Sequence, residues 1–152
     1  MIQGSFSTKG LIIACCLAVI SGCAAHGKTD QQIYQEALEA VAEQAGRADV
    51  GLSAVVIQSH GMVADGLTVA AGGGQNAAQL RQALHQVRQA GEPGFLIMGG
   101  NGALDAAVMK GACTGQDFSG LTIVFAGKPE QHSTIQDIVQ KTQADFRFIS
   151  RQ

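Results

Sequence analysis

The stretch "FLIMGGNGALDAAVMKGA", residues 95–112, decides the fold because it holds one complete structural unit. A short apolar run leads into a glycine turn, and the turn leads into a segment in which Leu104, Ala107 and Val108 recur at helical spacing. Residues 121–144, "LTIVFAGKPEQHSTIQDIVQKTQA", repeat this plan with a helix that starts at Pro129. The repeated order of strand, turn and helix is typical of α/β domains.

The flanking segments extend the same pattern. Residues 67–91, "LTVAAGGGQNAAQLRQALHQVRQAG", predict a strand over 67–71 and then a helix with Asn76 as its N-cap. Residues 52–57, "LSAVVI", predict an earlier strand, and the "SHGMVADG" that follows is compatible with a hairpin or an irregular loop. "FRFIS" at 146–150 alternates apolar and polar side chains, as a last strand at or near a sheet edge does.

The spacing of these elements predicts the sheet. Strand centres recur about every 23 to 28 residues, the length of one βα unit, and strands without alternation indicate burial on both faces. Upstream, Thr29 to Ala45 is predicted as a helix with the Thr29–Gln32 spacing of a capping box, and Gly91 and Gly111 occupy C′ positions after two later helices. We therefore predict a small three-layer α/β domain with a parallel or mixed sheet of about four or five strands and a Rossmann-like topology.

Composition places the chain among globular proteins and restricts its partners. Of 152 residues, 46% are hydrophobic and 14% are charged, and the formal net charge is −2 at pH 7. This length predicts one domain that is large enough to bury a core. The cations are not clustered, whereas nucleic-acid binding needs several of them on one face, so we expect no nucleic-acid partner.

The N-terminal residues have the layout of a cleaved leader. Residues 1–9 are polar with a single cation, residues 11–20 form the apolar run "LIIACCLAVI", and the small residues Ser21 and Gly22 precede Cys23. As a helix the apolar run would span about 15 Å, half of the ~30 Å hydrocarbon core of a bilayer. A cleaved segment therefore fits better than a transmembrane span.

Ile20-Ser21-Gly22-Cys23 resembles the lipobox of bacterial lipoproteins. The resemblance covers only the leader. It implies cleavage before Cys23, a diacylglycerol thioether on its sulfur and acylation of the new amino terminus. Two or three acyl chains hold a protein firmly on a membrane. The residue after Cys23 is Ala24 and not aspartate. In this it is similar to Gram-negative members of the class that are passed on to the outer membrane.

Domain boundaries follow from this resemblance. We expect a signal peptide over residues 1–22, a tether over 23–29 and a single α/β domain over 30–152. The mature protein would be attached through lipidated Cys23, most simply to the outer membrane and facing the periplasm.

Three glycine-containing turns follow the predicted strands, at 71–76, 99–104 and 126–131. In a parallel sheet they would lie together at the carboxyl edge, where backbone N–H groups and helix N-termini can receive an anion. A competing interpretation is that these glycines only permit tight turns. The candidate ligand-binding residues are Gly73, Gly74, Asn76, Gly100, Asn101, Gly102, Gly127 and Lys128.

The sequence contains residue types that are common in active sites, but they do not have the spacing of a known catalytic motif. Ser59, His60 and Asp65 share one predicted loop, but no G-x-S-x-G elbow accompanies them. The histidines do not have the spacing of metal ligands, and Cys113, the lone thiol of the predicted domain, is interpreted as a small buried hydrophobe. We therefore predict no catalytic residues, no metal, no cofactor and no enzymatic activity.

These observations favour a lipid-anchored cell-envelope protein that acts as a protein-binding or assembly module. Its partners would be the membrane, through Cys23, and other envelope proteins, reached through a sheet edge or a helix face. The alternative is a small-molecule or anion binder that uses the glycine turns. The sequence does not indicate the oligomeric state.

Overall fold

A computed structural model describes residues 27–152; the leader, Cys23 and the first tether residues lie outside the described part. Within 27–152 no helix has the length and hydrophobicity needed to cross a membrane. The order of elements is α1 (Asp30–Ala45), β1 (Ser53–Val56), α2 (Met62–Ala70), α3 (Gly74–Gln89), β2 (Gly94–Met98), α4 (Gly102–Cys113), β3 (Thr122–Gly127), a short 3₁₀ turn (Pro129–Gln131), α5 (His132–Gln140) and β4 (Asp145–Ser150).

The four strands form one parallel sheet in the order β1-β2-β3-β4. Helices α3, α4 and α5 cover one face, where Leu84, Val108 and Ile135 pack against Phe95 and Phe125. Helix α1 covers the other face. The structure therefore confirms a three-layer α/β fold with a parallel sheet.

The sequential strand order bears on where a ligand could bind. In open α/β sheets, ligands usually bind where the strand order reverses and neighbouring crossovers leave toward opposite faces. The sheet of the described residues contains no such reversal, because each new strand adds on the same side of the previous one. The topology alone therefore creates no crevice at the carboxyl edge.

Burial along the strands follows the predicted pattern. Strands β2 and β3 are buried at every position, as their uninterrupted apolar runs require. Strands β1 and β4 form the two edges of the sheet, and their residues alternate between more and less exposed positions. The prediction that 146–150 is an edge strand is confirmed.

Local signals at the ends of α1 also act as predicted. The Thr29 hydroxyl accepts a hydrogen bond from the backbone N–H of Gln32, and the Gln32 side chain accepts one from the N–H of Thr29. This capping box satisfies two N–H groups that have no partner inside the helix. Gly46, in the left-handed conformation, ends the helix.

The predicted strand over 67–71 is wrong, because most of this segment belongs to helix α2. The β-branched residues Thr68 and Val69 favour a strand by their local propensity, but tertiary contacts decide the conformation. Asp65 fixes the first turn, and α2 packs against α3 and α4. The segment 59–66, interpreted as a hairpin or loop, contains the start of this helix.

Two predicted helix ends are also wrong. Helix α3 begins at Gly74 after Gly73, so Asn76 lies in its first turn and is not the N-cap. Gly111 does not follow α4 but lies inside it. A Cβ at Gly111 would overlap the carbonyl oxygen of Gly72 and lie 2.7 Å from the Cβ of Ala77. Glycine at 111 therefore allows the α2–α3 junction to approach α4 closely.

Candidate functional site

The carboxyl ends of the strands surround a shallow groove of about 670 Å³. It is lined by residues 56–59 at the end of β1, residues 99–102 after β2, Lys128 after β3 and Arg151 after β4. Four predicted site residues thus lie together here, namely Gly100, Asn101, Gly102 and Lys128. Gly127 is the last residue of β3, next to Lys128.

The third predicted turn lies elsewhere. Residues 71–76 join two helices, because the segment before them is α2 and not a strand. Gly73 is packed against the middle of α4, where a Cβ would lie 2.7 Å from the carbonyl oxygen of Ala107. Asn76 lines a different groove, beside β1, and Gly74 begins α3. Gly73, Gly74 and Asn76 therefore do not join the other turns at the carboxyl edge.

Asp65 organises the loop between β1 and α2. Its carboxylate accepts hydrogen bonds from the Ser59 hydroxyl, from the backbone N–H of His60 at 2.9 Å and from Asn101 Nδ2 at 3.0 Å. The side chain of Ser59, then the N–H of His60 and the amide of Asn101, hold the pKa of Asp65 below its ordinary value, against a smaller opposing effect of burial.

This geometry is not that of a catalytic triad. Among the described residues, the hydrogen bonds to Asp65 come from a hydroxyl, a backbone N–H and an amide, whereas a triad needs the carboxylate to orient an imidazole. The Ser59 hydroxyl donates to Asp65 itself. Ser59, His60 and Asp65 are therefore brought together as a structural cluster.

A second buried carboxylate ties two turns together. Asp105 Oδ2 accepts hydrogen bonds from the N–H of Gly100 at 2.9 Å and from Gln131 Nε2 at 2.8 Å. Gln131 Oε1 in turn accepts the N–H of Lys128 at 2.8 Å. The N–H groups of Gly100 and Lys128 are thus engaged by side chains of this chain, which favours the interpretation of these glycines as turn formers.

The environment of Asp105 is unusually apolar for a carboxylate. The residue is fully buried, and its Oδ1 has no hydrogen-bond partner among the described residues. Burial raises the pKa of Asp105, although the hydrogen bonds from Gln131 and Gly100 act in the opposite direction. An ionised Asp105 is therefore stabilised less well than an exposed aspartate.

The cations at the groove differ in availability. Arg151 Nη1 donates to the carbonyl oxygen of Gly99 at 2.6 Å, and Nη2 forms an ion pair with Asp30 at 2.7 Å. Lys128 is exposed at the rim. The groove therefore combines one engaged guanidinium with an exposed ammonium group.

Helix α2 has an inverted distribution of apolar and polar residues. Met62, Val63 and Leu67 are 90%, 80% and 69% exposed, and Val69 is also exposed. Asp65 is the buried residue of this helix, at 6% exposure. An amphipathic helix normally buries its apolar stripe and exposes its charges. The outward face of α2, which carries Val63 and Leu67, is therefore apolar.

Cys113 and the potential metal ligands of residues 27–152 are the other chemistry-bearing candidates. Cys113 is buried, and burial raises its pKa to about 12, so its sulfur stays a thiol at neutral pH. Within residues 27–152, no three His, Cys, Asp or Glu side chains come together in a way that could hold a metal ion.

Comparison with protein-family models, curated proteins and solved structures finds no match for this chain. Function is therefore inferred from the geometry of α2 and of the carboxyl edge.

Proposed function

We propose that this protein is a lipid-anchored cell-envelope module that binds a partner protein through the outward face of α2. The observation that carries the proposal is the exposure of Met62, Val63 and Leu67 on one short helix. Full removal of such a side chain from water is worth about 1.5–3 kcal/mol, from which the costs of association are subtracted. A hydrophobic groove that receives one helix face is a common mode of recognition between proteins.

The binding helix is held in place before any partner arrives. Asp65 ties its first turn to Asn101, the N-cap residue of α4. At its other end, Gly73 and Gly111 allow the chain to pack closely on α4. A preorganised helix loses little conformational entropy on binding, which favours affinity.

The predicted lipid anchor is compatible with this surface. The N–H of Lys28 donates to the carbonyl oxygen of Arg151 at 3.0 Å, and a Cβ added to Gly27 would overlap the same oxygen, so residues 27 and 28 lie at the carboxyl edge. Helix α2 begins at the same edge. The four residue steps from Cys23 to Gly27 span at most about 14 Å. An anchor on Cys23 would therefore keep the carboxyl edge of the sheet toward the membrane and favour partners in the envelope.

Two measurements test this proposal. Mass spectrometry of the mature N-terminus should find a diacylated or triacylated Cys23, and an unmodified chain that still begins at Met1 would contradict the anchor. For the binding surface, membranes are crosslinked and the protein is captured from wild type and from a Val63→Ser/Leu67→Ser variant. We expect specific protein partners to be lost from the variant, and identical partners in both would contradict binding through α2.

The second candidate function is binding of a small anionic molecule in the carboxyl-edge groove. It is favoured by the position of Lys128, whose exposed ammonium shares the groove with Ser59 and Asn101. Inorganic phosphate, titrated against the protein and against Lys128→Gln, tests it. Saturable perturbation of amides at 99–102 in wild type alone would support the site, and equal responses in both proteins would contradict it.

A further inference from the structure

The two edges of the sheet differ in charge. Strand β4 carries the exposed residues Asp145 and Arg147, and Gln44 of α1 bonds to both. Strand β1, "SAVV", carries no charge. Natural sheets commonly protect a free edge with charged side chains, because unprotected backbone groups pair with other strands. The β4 edge has this protection and the β1 edge lacks it.

The ladder between β1 and β2 shows which backbone groups of β1 are free. The N–H of Ile57 donates to the carbonyl oxygen of Met98 at 2.9 Å, and Val56 is the residue in register with Met98. Hydrogen bonding alternates along a strand, so residues 53, 55 and 57 turn their polar groups toward β2. Ala54 and Val56 turn theirs away from the sheet, and β1 is the outermost strand among the described residues.

We propose that β1 pairs in antiparallel fashion with β1 of a second copy of this chain, about a two-fold axis at Val55. Ala54 of each copy then faces Val56 of the other, and these residues exchange the hydrogen bonds that are free in the single chain. Val55 faces Val55 of the second copy as a pair without hydrogen bonds. The result is one continuous sheet that joins both domains.

A second copy fits this edge because of its side chains. In a two-fold antiparallel pair, the residue on the axis faces its own copy, so a charged residue at that position would face a like charge. Strand β1 avoids this repulsion with serine, alanine and valine. A pair of β4 strands centred on Arg147 would place two guanidinium groups opposite each other, whereas a pair of β1 strands has no charge at any centre.

The surroundings of β1 are compatible with the same arrangement. On one face, a groove of about 210 Å³ separates β1 from α3, and the α3 residues that line it include Asn76, Gln79 and Ala83, which are uncharged. On the other face, α1 packs over β2, β3 and β4, and Val56 stays 44% exposed. A second copy would cover apolar surface on both faces of β1, and the carboxylate of Glu92 beside the strand is already engaged by the Ser53 hydroxyl at 2.9 Å.

Disulfide trapping of the full chain in its native membrane tests the pairing. Antiparallel residues without mutual hydrogen bonds have Cα atoms about 4.5 Å apart, which lies within the range that a disulfide spans. Under mild oxidation, Val55→Cys should give a disulfide-linked dimer. Wild type controls for the native cysteines, and Thr134→Cys, exposed on α5, controls for random collision. Trapping of Val55→Cys no greater than that of Thr134→Cys would overturn the proposal.

A second variant separates this interface from α2. Val56→Lys, added to Val55→Cys, places a cation at the free edge, where the side chain is already partly exposed, and should lower trapping at least about tenfold. Leu67→Lys, added in the same way, should leave trapping unchanged. The reverse result, with loss through Leu67→Lys and none through Val56→Lys, would assign the dimer to α2 and contradict pairing through β1.

Discussion

Asp65 and Asn101, which are 36 residues apart in the chain, are joined by a hydrogen bond of 3.0 Å between Asn101 Nδ2 and Asp65 Oδ2. The same Asn101 side chain uses its Oδ1 to cap α4, at 3.5 Å from the N–H of Leu104. One amide thus fixes the start of two helices. The position of the apolar face of α2 depends on this contact.

We expect Asp65→Asn to loosen α2. The substitution replaces one acceptor oxygen of the cluster with an amide donor, so the hydrogen bonds from Ser59, His60 and Asn101 cannot all be kept. Hydrogen exchange of the amides at 66–72 should become faster, and the midpoint of urea unfolding should fall. Asp117→Asn, at an exposed turn, is the matched control. Unchanged exchange at 66–72 in Asp65→Asn would contradict this role of Asp65.

The raised pKa of Asp105 predicts a specific dependence of stability on pH. The Asp105 carboxyl holds its proton more tightly in the folded protein than in the unfolded chain, where its pKa is near 3.8. The stabilisation by Asp105 is therefore fully present below pH 3.8. It is lost as the pH rises through the higher pKa that Asp105 has in the folded protein. Asp105→Asn should remove this loss. Urea unfolding of both proteins from pH 3 to pH 7 measures it, and parallel profiles would contradict the raised pKa.

Gly111→Ala should destabilise the domain, because the added Cβ meets the carbonyl of Gly72 and the side chain of Ala77. Overpacking of this kind costs about 1–3 kcal/mol of unfolding free energy. Gly66→Ala is the matched control within α2, since a Cβ there meets nothing within 4 Å. That substitution should stabilise by about 0.5–1 kcal/mol through helix propensity. Urea unfolding gives both values, and equal effects would contradict the close approach at Gly111.

The parallel sheet was predictable because its signals are local. The uninterrupted apolar runs of β2 and β3 and the alternation at Phe146 and Phe148 each indicate a position in the sheet. Helix α2 was not predictable, because its apolar residues face outward and give no stripe directed at a core. The β-branched residues at 68 and 69 then favoured a strand.

The candidate site was predictable only in part, for a related reason. Gly100, Asn101, Gly102 and Lys128 follow strands that were assigned correctly, so they meet at the carboxyl edge as expected. The turn at 71–76 does not meet them, because the segment before it, predicted as a strand, is helix α2. The role of Asp65 depends on a residue far along the chain, and local sequence carries no signal of that contact.

Site-specific photo-crosslinking from α2 in intact cells shows whether a partner protein binds this helix. A photoreactive residue replaces Leu67, which is exposed and faces outward, and the matched control replaces Gln35, which is exposed on α1 at the other face of the sheet. We predict a discrete adduct with another protein from position 67 and none from position 35. The protein-binding role of α2 would be contradicted by adducts from position 67 only with lipid or only with a second copy of this chain. Adducts from position 67 that are no more abundant than those from position 35 would contradict it as well.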